Sequence, residues 1–165
     1  MASTLRRRFG PRPSPSFDGL MGLYELNYIR LRRLLPDWGT VGAQAVSVSP
    51  RGLDLHYQLL ERCPYTLTAA LTYCFPRPDG GTLCAPDLRI RVYLDARLAE
   101  VMSGALHRHG PRLDVSSLPP VDLDQGALAA RWRLNRFLYR WLNFCLKQGH
   151  RFRTLHGAWR PPAGA

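Results

Sequence analysis

The stretch from Tyr65 to Phe75 constrains this chain more than any other. Tyr65, Leu67, Ala69, Leu71, Tyr73 and Phe75 alternate with Thr66, Thr68, Ala70, Thr72 and Cys74. Side chains of a strand point alternately to its two faces, so this run reads as a long strand with one apolar face. Such a strand needs hydrogen-bonded neighbours and a covering layer before it is stable. The neighbours are visible on either side. Leu53, Leu55, Tyr57 and Leu59 alternate with Asp54, His56 and Gln58, while Leu88, Ile90, Val92 and Leu94 alternate with Arg89, Arg91 and Tyr93. Val46 and Val48 precede the turn Ser49-Pro50-Arg51-Gly52, and a turn near Asp95-Ala96 returns the chain through Leu98 to Met102. Short connections make these strands antiparallel. Cys63-Pro64 breaks one run, and a Pro- and Gly-rich loop through Pro86 follows another.

The covering layer comes from the two ends. Leu20, Tyr24, Asn27, Leu31 and Leu34 recur at helical spacing, with Ser16 or Asp18 as a cap and Pro36 as the stop. A second helix is predicted from near Asp124 to Gln148, with Gly149 suited to its C-terminus. Its stripe is Leu134, Leu138, Trp141, Leu142 and Cys145, widened by Phe137 and Phe144. The pattern predicts an α+β fold: an antiparallel sheet of four or five strands flanked by an N-terminal and a C-terminal helix packed on one face. The other face would expose Thr66, Thr68, Arg89 and Arg91. Residues 103–123, with Gly104, Gly110, Pro111, Pro119 and Pro120, read as a long irregular loop. The organisation expected is a disordered basic Pro/Arg leader over 1–16, one domain over 17–153 and a flexible tail over 154–165.

Charge separates these parts. The chain carries +11, but residues 18–124 hold 11 basic and 12 acidic side chains. The excess lies in the leader, with Arg6, Arg7, Arg8 and Arg12, and in residues 125–165, which contain no acid. A basic surface attracts polyanions, which concerns partners and not the fold. Arg133, Arg136, Arg140, Lys147, Arg151 and Arg153 are therefore the candidate polyanion contacts. The four cysteines, Cys63, Cys74, Cys84 and Cys145, form no C-x-x-C pair and read as small buried hydrophobes or surface thiols. Arg6-Arg7-Arg8-Phe9 is not followed by the apolar segment that an export signal needs, and no stretch reaches the ~18 apolar residues that cross a bilayer. A cytoplasmic protein with no membrane association is expected.

Three segments carry a resemblance: Phe17-Asp18-Gly19-Leu20-Met21-Gly22-Leu23-Tyr24-Glu25-Leu26-Asn27-Tyr28 through Pro36-Asp37; Arg89-Ile90-Arg91-Val92-Tyr93-Leu94-Asp95-Ala96 through Val101; and Asn135-Arg136-Phe137-Leu138 through Gly149-His150. Together, over roughly residues 17–153, they resemble the YqiB-like family of small bacterial proteins of unknown function. Leu94 stands where that family would have His, and Gly22 where Cys is common; the basic leader is an addition. The resemblance implies a cytoplasmic protein, often encoded near a cyclic-AMP phosphodiesterase and a nucleotide-sugar pyrophosphatase. It supplies no reaction and no catalytic residues.

The residues themselves point away from catalysis. Asp79-Gly80-Gly81 is a turn without the Gly-Lys-Ser/Thr of a phosphate loop, and no G-x-S-x-G elbow is present. His107-Arg108-His109 with Asp114 reads as a solvated loop, because spacing fixes no third zinc ligand. The sequence assigns no catalytic residue, no cofactor and no metal. Glu25, Asp95 and Glu100 read as turn caps or ion-pair partners. Asn27 and Asn135 read as side chains tying helices to backbone groups, since a buried amide must be hydrogen-bonded. Trp132 and Trp141 read as core or interface residues. Arg62 with Arg89 and Arg91 is either an anion pocket or a set of pairs with Asp54 and Glu61. The candidate interaction or ligand site is thus Glu25, Asn27, Arg62, Arg91, Asp95, Glu100, Asn135 and Trp141.

Three readings of function follow, in this order. The first is a non-catalytic interaction or adaptor domain with a protein partner. The second is non-specific nucleic-acid binding through the basic C-terminal helix and tails, since no sequence-reading motif is present. The third is a small-ligand or nucleotide sensor, or weak enzyme, using Arg62, Arg91, Asp95 and Glu100. Oligomeric state is not fixed by the sequence.

Overall fold

The computed structural model describes residues 15–38, 41–105, 112–120 and 124–152. The leader up to residue 14, His107-Arg108-His109, and Arg153 with the tail beyond it lie outside the described residues.

The first helix, α1 (Phe17–Leu34), starts where Ser16 Oγ accepts a hydrogen bond from the Gly19 amide at 3.1 Å, and it ends immediately before Leu35-Pro36. Six strands follow: β1 (Gln44–Ser47), β2 (Leu55–Arg62), β3 (Thr66–Pro76), β4 (Thr82–Tyr93), β5 (Leu98–Ala105) and β6 (Arg112–Asp114). They form one antiparallel sheet in chain order. A 3-10 turn (Val115–Ser117) leads toward α2 (Gln125–Lys147), capped by Asp124 and ended by Gly149 at φ +83°.

The α+β architecture agrees with the sequence pattern, and three details correct it. The sheet has six strands, not four or five. Residues 103–123 are not all loop: β5 continues through Ala105, and β6 pairs back onto Ser103–Ala105. The Pro- and Gly-rich loop shrinks to a tight turn, because β3 and β4 stay paired out to Pro76 and Thr82. Pro86 is accommodated because the register slips between Leu71 and Tyr73, so it lies at an irregularity where a missing N–H is tolerated.

The long hairpin also corrects the reading of the cysteines. Cys74 and Cys84 are facing residues in the β3–β4 register, with Cα atoms 4.2 Å apart, and are joined by a disulfide. Cys63 is an exposed thiol and Cys145 a buried one.

The inner sheet face carries Leu55, Tyr57, Leu67, Leu71, Leu88, Ile90, Val92 and Val101. Leu31 and Leu34 of α1 and Leu134, Leu138, Leu142 and Cys145 of α2 cover it. Each such large side chain contributes on the order of 1.5–3 kcal/mol by leaving water. A second cluster, Leu20, Leu23, Tyr24, Leu128 and Trp132, joins the N-terminal halves of the helices. The helices run parallel, since Gly19 meets Trp132, Asn27 meets Asn135 and Arg30 meets Asn143. A Cβ on Gly19 would stand 3.1 Å from the Trp132 ring, so glycine permits this close approach.

On the outer face one expectation fails. Thr68 is buried, because the side chain of Arg91, its cross-strand partner, donates to Thr68 Oγ1 at 3.4 Å and lies over it.

Candidate functional site

Most residues singled out in the sequence are engaged in the frame. Asn27 and Asn135 are both fully buried. Asn27 Nδ2 donates to the Asn135 carbonyl at 3.2 Å. Asn135 Oδ1 accepts from the Val101 amide at 3.0 Å, and its Nδ2 donates to the Arg131 carbonyl at 2.8 Å. Val101 sits beside a register slip between β4 and β5, so Asn135 satisfies an amide where the ladder is disturbed. One side chain thereby ties α2 to the sheet while its backbone receives α1.

Glu100 accepts from the Tyr93 hydroxyl at 2.7 Å and stands close enough to Tyr24 to act on its phenol. Burial, with the nearby carboxylate, pushes the Tyr93 phenol up to about 12 and raises Tyr24 as well. Both phenols therefore stay protonated donors. Arg91 faces Glu100 across the β4–β5 register and pairs with Glu61 at 3.4 Å. Arg62 Nη1 donates to the Trp38 carbonyl at 3.1 Å. Asp95 accepts from the Ala96 amide within its own turn, and Glu25 is exposed on α1. The structure brings Asn27 to Asn135 and Arg91 to Glu100; it does not gather the eight into one concavity.

The concavity lies elsewhere, and of the eight only Trp141 lines it. The β3–β4 hairpin, the C-terminal half of α2 and the β1–β2 loop enclose a cleft of about 710 Å³. Tyr73, Phe75 and Leu83 form its hairpin wall, Phe137, Trp141 and Phe144 its helix wall, and Arg51 and Leu53 its loop wall. The rings hold one another. Tyr73 meets Trp141 edge-on with centroids 4.9 Å apart, and Trp141 stacks on Phe144 at 5.8 Å. Phe144 is 45% exposed, Leu53 40% and Phe75 36%, so the cleft presents apolar surface to solvent.

The polar groups at the cleft are poorly suited to chemistry. Cys145 lies behind Tyr73 in the core and not in the cleft wall, and burial pushes its thiol up to about 12, so it is not a nucleophile. Asp87 is paired with Arg112. His150 is 2% exposed, its Nδ1 sits 3.1 Å from Ser47 Oγ, and burial lowers its pKa, which keeps the ring neutral. Its Nε2 and the Trp141 Nε1 have no hydrogen-bond partner among the described residues. No group of three or more His, Cys, Asp or Glu among the described residues could hold a metal ion.

Beside the cleft, α2 presents a cationic ridge. At 100° per residue, Arg133, Arg136, Arg140, Phe144 and Lys147 fall within an arc of about 80°; Phe137, Trp141, Phe144 and Gln148, which line the cleft, occupy the next arc of about 60°. Leu134, Leu138, Leu142 and Cys145 take the third, facing the sheet. Arg133, Arg136, Arg140, Lys147 and Arg151 are exposed, and α2 contains no acid. Neither ion pair seen among the described residues, Arg91–Glu61 and Arg112–Asp87, draws on this helix. Arg131 departs from the ridge: its guanidinium donates to the Pro119 carbonyl at 2.9 Å and anchors the segment before α2. Neighbouring like charges such as Arg133–Arg136 and Arg136–Arg140 each oppose the helix by about 0.2–0.5 kcal/mol.

The cleft escaped sequence reading because its walls come from segments far apart in the chain. The one local signal was the extra width of the α2 apolar stripe, where Phe137 and Phe144 exceed what the sheet can cover.

Comparison with known proteins places these features in a family context. The family described as "Protein of unknown function (DUF1249)" matches residues 30–151, which include every residue lining the cleft. The chain is 30% identical over 139 residues to "Uncharacterized protein YqiB" of Escherichia coli K12, covering 84% of this chain and 94% of that protein. The same figures hold for the proteins of that name from the CFT073 and O157:H7 strains. No solved structure matches. Among the described residues no helix is long and apolar enough to cross a membrane.

Proposed function

The chain belongs to the DUF1249 family of proteins of unknown function, and from that premise we propose that it is a non-catalytic interaction domain that receives apolar side chains of a partner protein in the aromatic cleft. The observation that carries this reading is the cleft itself. It holds about 710 Å³, is walled by Tyr73, Phe75, Phe137, Trp141 and Phe144, and offers neither an activated nucleophile nor a free pair of carboxylates. Anchoring of one or two large apolar side chains in such a concavity, with a charged rim, is how many protein interfaces concentrate their affinity.

The alternative of a sensor or weak enzyme built on Arg62, Arg91, Asp95 and Glu100 draws less support. Arg62 is tied to a backbone carbonyl, Arg91 to Glu61, Asp95 to its own turn and Glu100 to the Tyr93 phenol.

The test is quantitative affinity capture from native cells with the wild-type chain and a Phe75→Ser/Phe144→Ser variant. Both positions are partly exposed, so the variant should keep its cooperative thermal melt. A partner recovered near one-to-one by the wild type and lost by the variant is the expected result. A partner held equally by both would overturn the assignment to the cleft.

A further inference from the structure

We propose that the partner segment taken by this cleft is acidic: a short peptide stretch with one or two large apolar side chains flanked by Asp and Glu. The inference rests on the reading of the cleft as an interaction site and adds the chemistry of what it binds. Its basis is the division of α2 into three sectors. One faces the sheet, the second walls the cleft, and the third carries Arg133, Arg136, Arg140 and Lys147.

Phe144 belongs to the second sector and the third. A side chain seated against Phe144 and Trp141 therefore places its neighbours along the chain over Arg140 and Lys147. Arg51, on the β1–β2 loop, puts a further cation on the opposite wall. The C-terminal end of the ridge continues in Arg151, whose Nε lies 3.4 Å from the Arg33 carbonyl and whose side chain is exposed. With no acid on α2 and no ion pair reaching the ridge, these cations have no carboxylate partner in an ion pair among the described residues. Complementary carboxylates would steer the encounter and fix the register of the bound segment.

Length follows from geometry. Arg133 and Lys147 are 14 residues apart, or about 21 Å at a helical rise of 1.5 Å. An extended peptide covers that distance with about six residues. The shape of the cleft favours a peptide over single-stranded nucleic acid. Binding along a strand uses successive free ring faces as platforms for bases. Here Trp141 is already engaged with both Tyr73 and Phe144, and aliphatic Leu53 and Leu83 complete the walls.

The experiment is selection from a random 12-residue peptide library against the full chain, followed by affinity measurement of the selected peptides at low and high salt. The same selection is run on an Arg136→Glu/Arg140→Glu variant, both positions being exposed, with a thermal melt to verify folding. The expected outcome is a pool rich in Asp and Glu around Leu, Phe or Trp. Binding should weaken about tenfold or more in the variant, and also on raising salt. A pool with apolar anchors but no acidic enrichment, or equal binding by the variant, overturns the acidic partner and leaves the cleft reading standing. No enrichment of any sequence overturns the cleft reading itself. A labelled oligo-dT that binds more tightly than the best selected peptide overturns the peptide in favour of nucleic acid.

Discussion

Apart from Arg133, exposed in the first half, and Tyr139 and Asn143, which accept from Arg30 in the second, the two halves of α2 make opposite use of their polar residues. In the N-terminal half, Asn135 is fully buried and each hydrogen-bonding group of its side chain has a backbone partner. Arg131 is likewise spent on the Pro119 carbonyl. In the C-terminal half, Arg136, Arg140 and Lys147 point to solvent without acids on the helix, and Phe144 is left nearly half exposed. The first half closes the fold. The second carries costs that the fold does not recover, namely exposed apolar surface and like-charge repulsion. The difference teaches that the residues most suggestive of a site need not be the ones free to act. Two buried asparagines drew attention in the sequence, yet they hold the helices in place.

The strongest way to break this comparison is at Asn135. In Asn135→Ala the Val101 amide loses its acceptor inside the protein, and the side chain's packing volume is vacated. An unsatisfied buried donor costs about 1–3 kcal/mol and the lost packing adds to it, so a total of about 2–4 kcal/mol is expected. Urea unfolding measures it directly. A loss under about 0.5 kcal/mol, the range of an ordinary surface change, would remove Asn135 from the frame and reopen it as a contact residue.

A second, smaller effect sits where the two regimes meet. His150 follows the C-terminus of α2, packs on Ser47 and lines the cleft. Burial lowers its pKa, so the unfolded chain binds the proton more readily than the folded one. Its contribution is therefore fully present above the unfolded value near 6.5 and is lost as pH falls through the lower folded value. Wild-type stability should drop on acidification below about pH 6.5, and His150→Gln should flatten that drop. The opposite slope, or an unchanged profile in the variant, would mean that His150 is charged and belongs with the cationic surface.

How far the sequence foretold these regimes depends on range. Local periodicity marked the alternating face of β3 and both helices, and it narrowed the cap of α1 to Ser16 or Asp18, of which Ser16 serves, because those signals lie within a few residues. The tying role of Asn27 and Asn135 was also legible, since a polar side chain on an apolar helix face must find partners. β6 was not legible: Arg112–Asp114 is too short to show alternation and is stabilised by pairing with β5. The outer half of the β3–β4 hairpin was hidden by Gly80, Gly81 and Pro86, although facing positions 74 and 84 both hold cysteine. The cleft was least legible. Leu53, Leu83 and Trp141 converge only through the sheet register and the placement of α2, which no local pattern encodes.

The smallest expected effect is the sharpest, because its sign separates the two halves of α2. Arg136→Glu replaces two like-charge neighbours, Arg133 at i−3 and Arg140 at i+4, with two favourable pairs. Each such pair is worth about 0.2–0.5 kcal/mol, and each repulsion removed is worth a similar amount. Position 136 is in the middle of the helix, where the dipole adds little. Stability should therefore rise by roughly 0.8–2 kcal/mol at low salt. The gain should shrink as screening increases. A comparison of chemical unfolding for wild type and variant at low and high salt measures both. A variant more stable than the wild type yet unable to bind would mark the ridge as a surface kept for a partner. A variant that loses stability would show that Arg136 serves the fold after all, and the division between the two halves of α2 would fail.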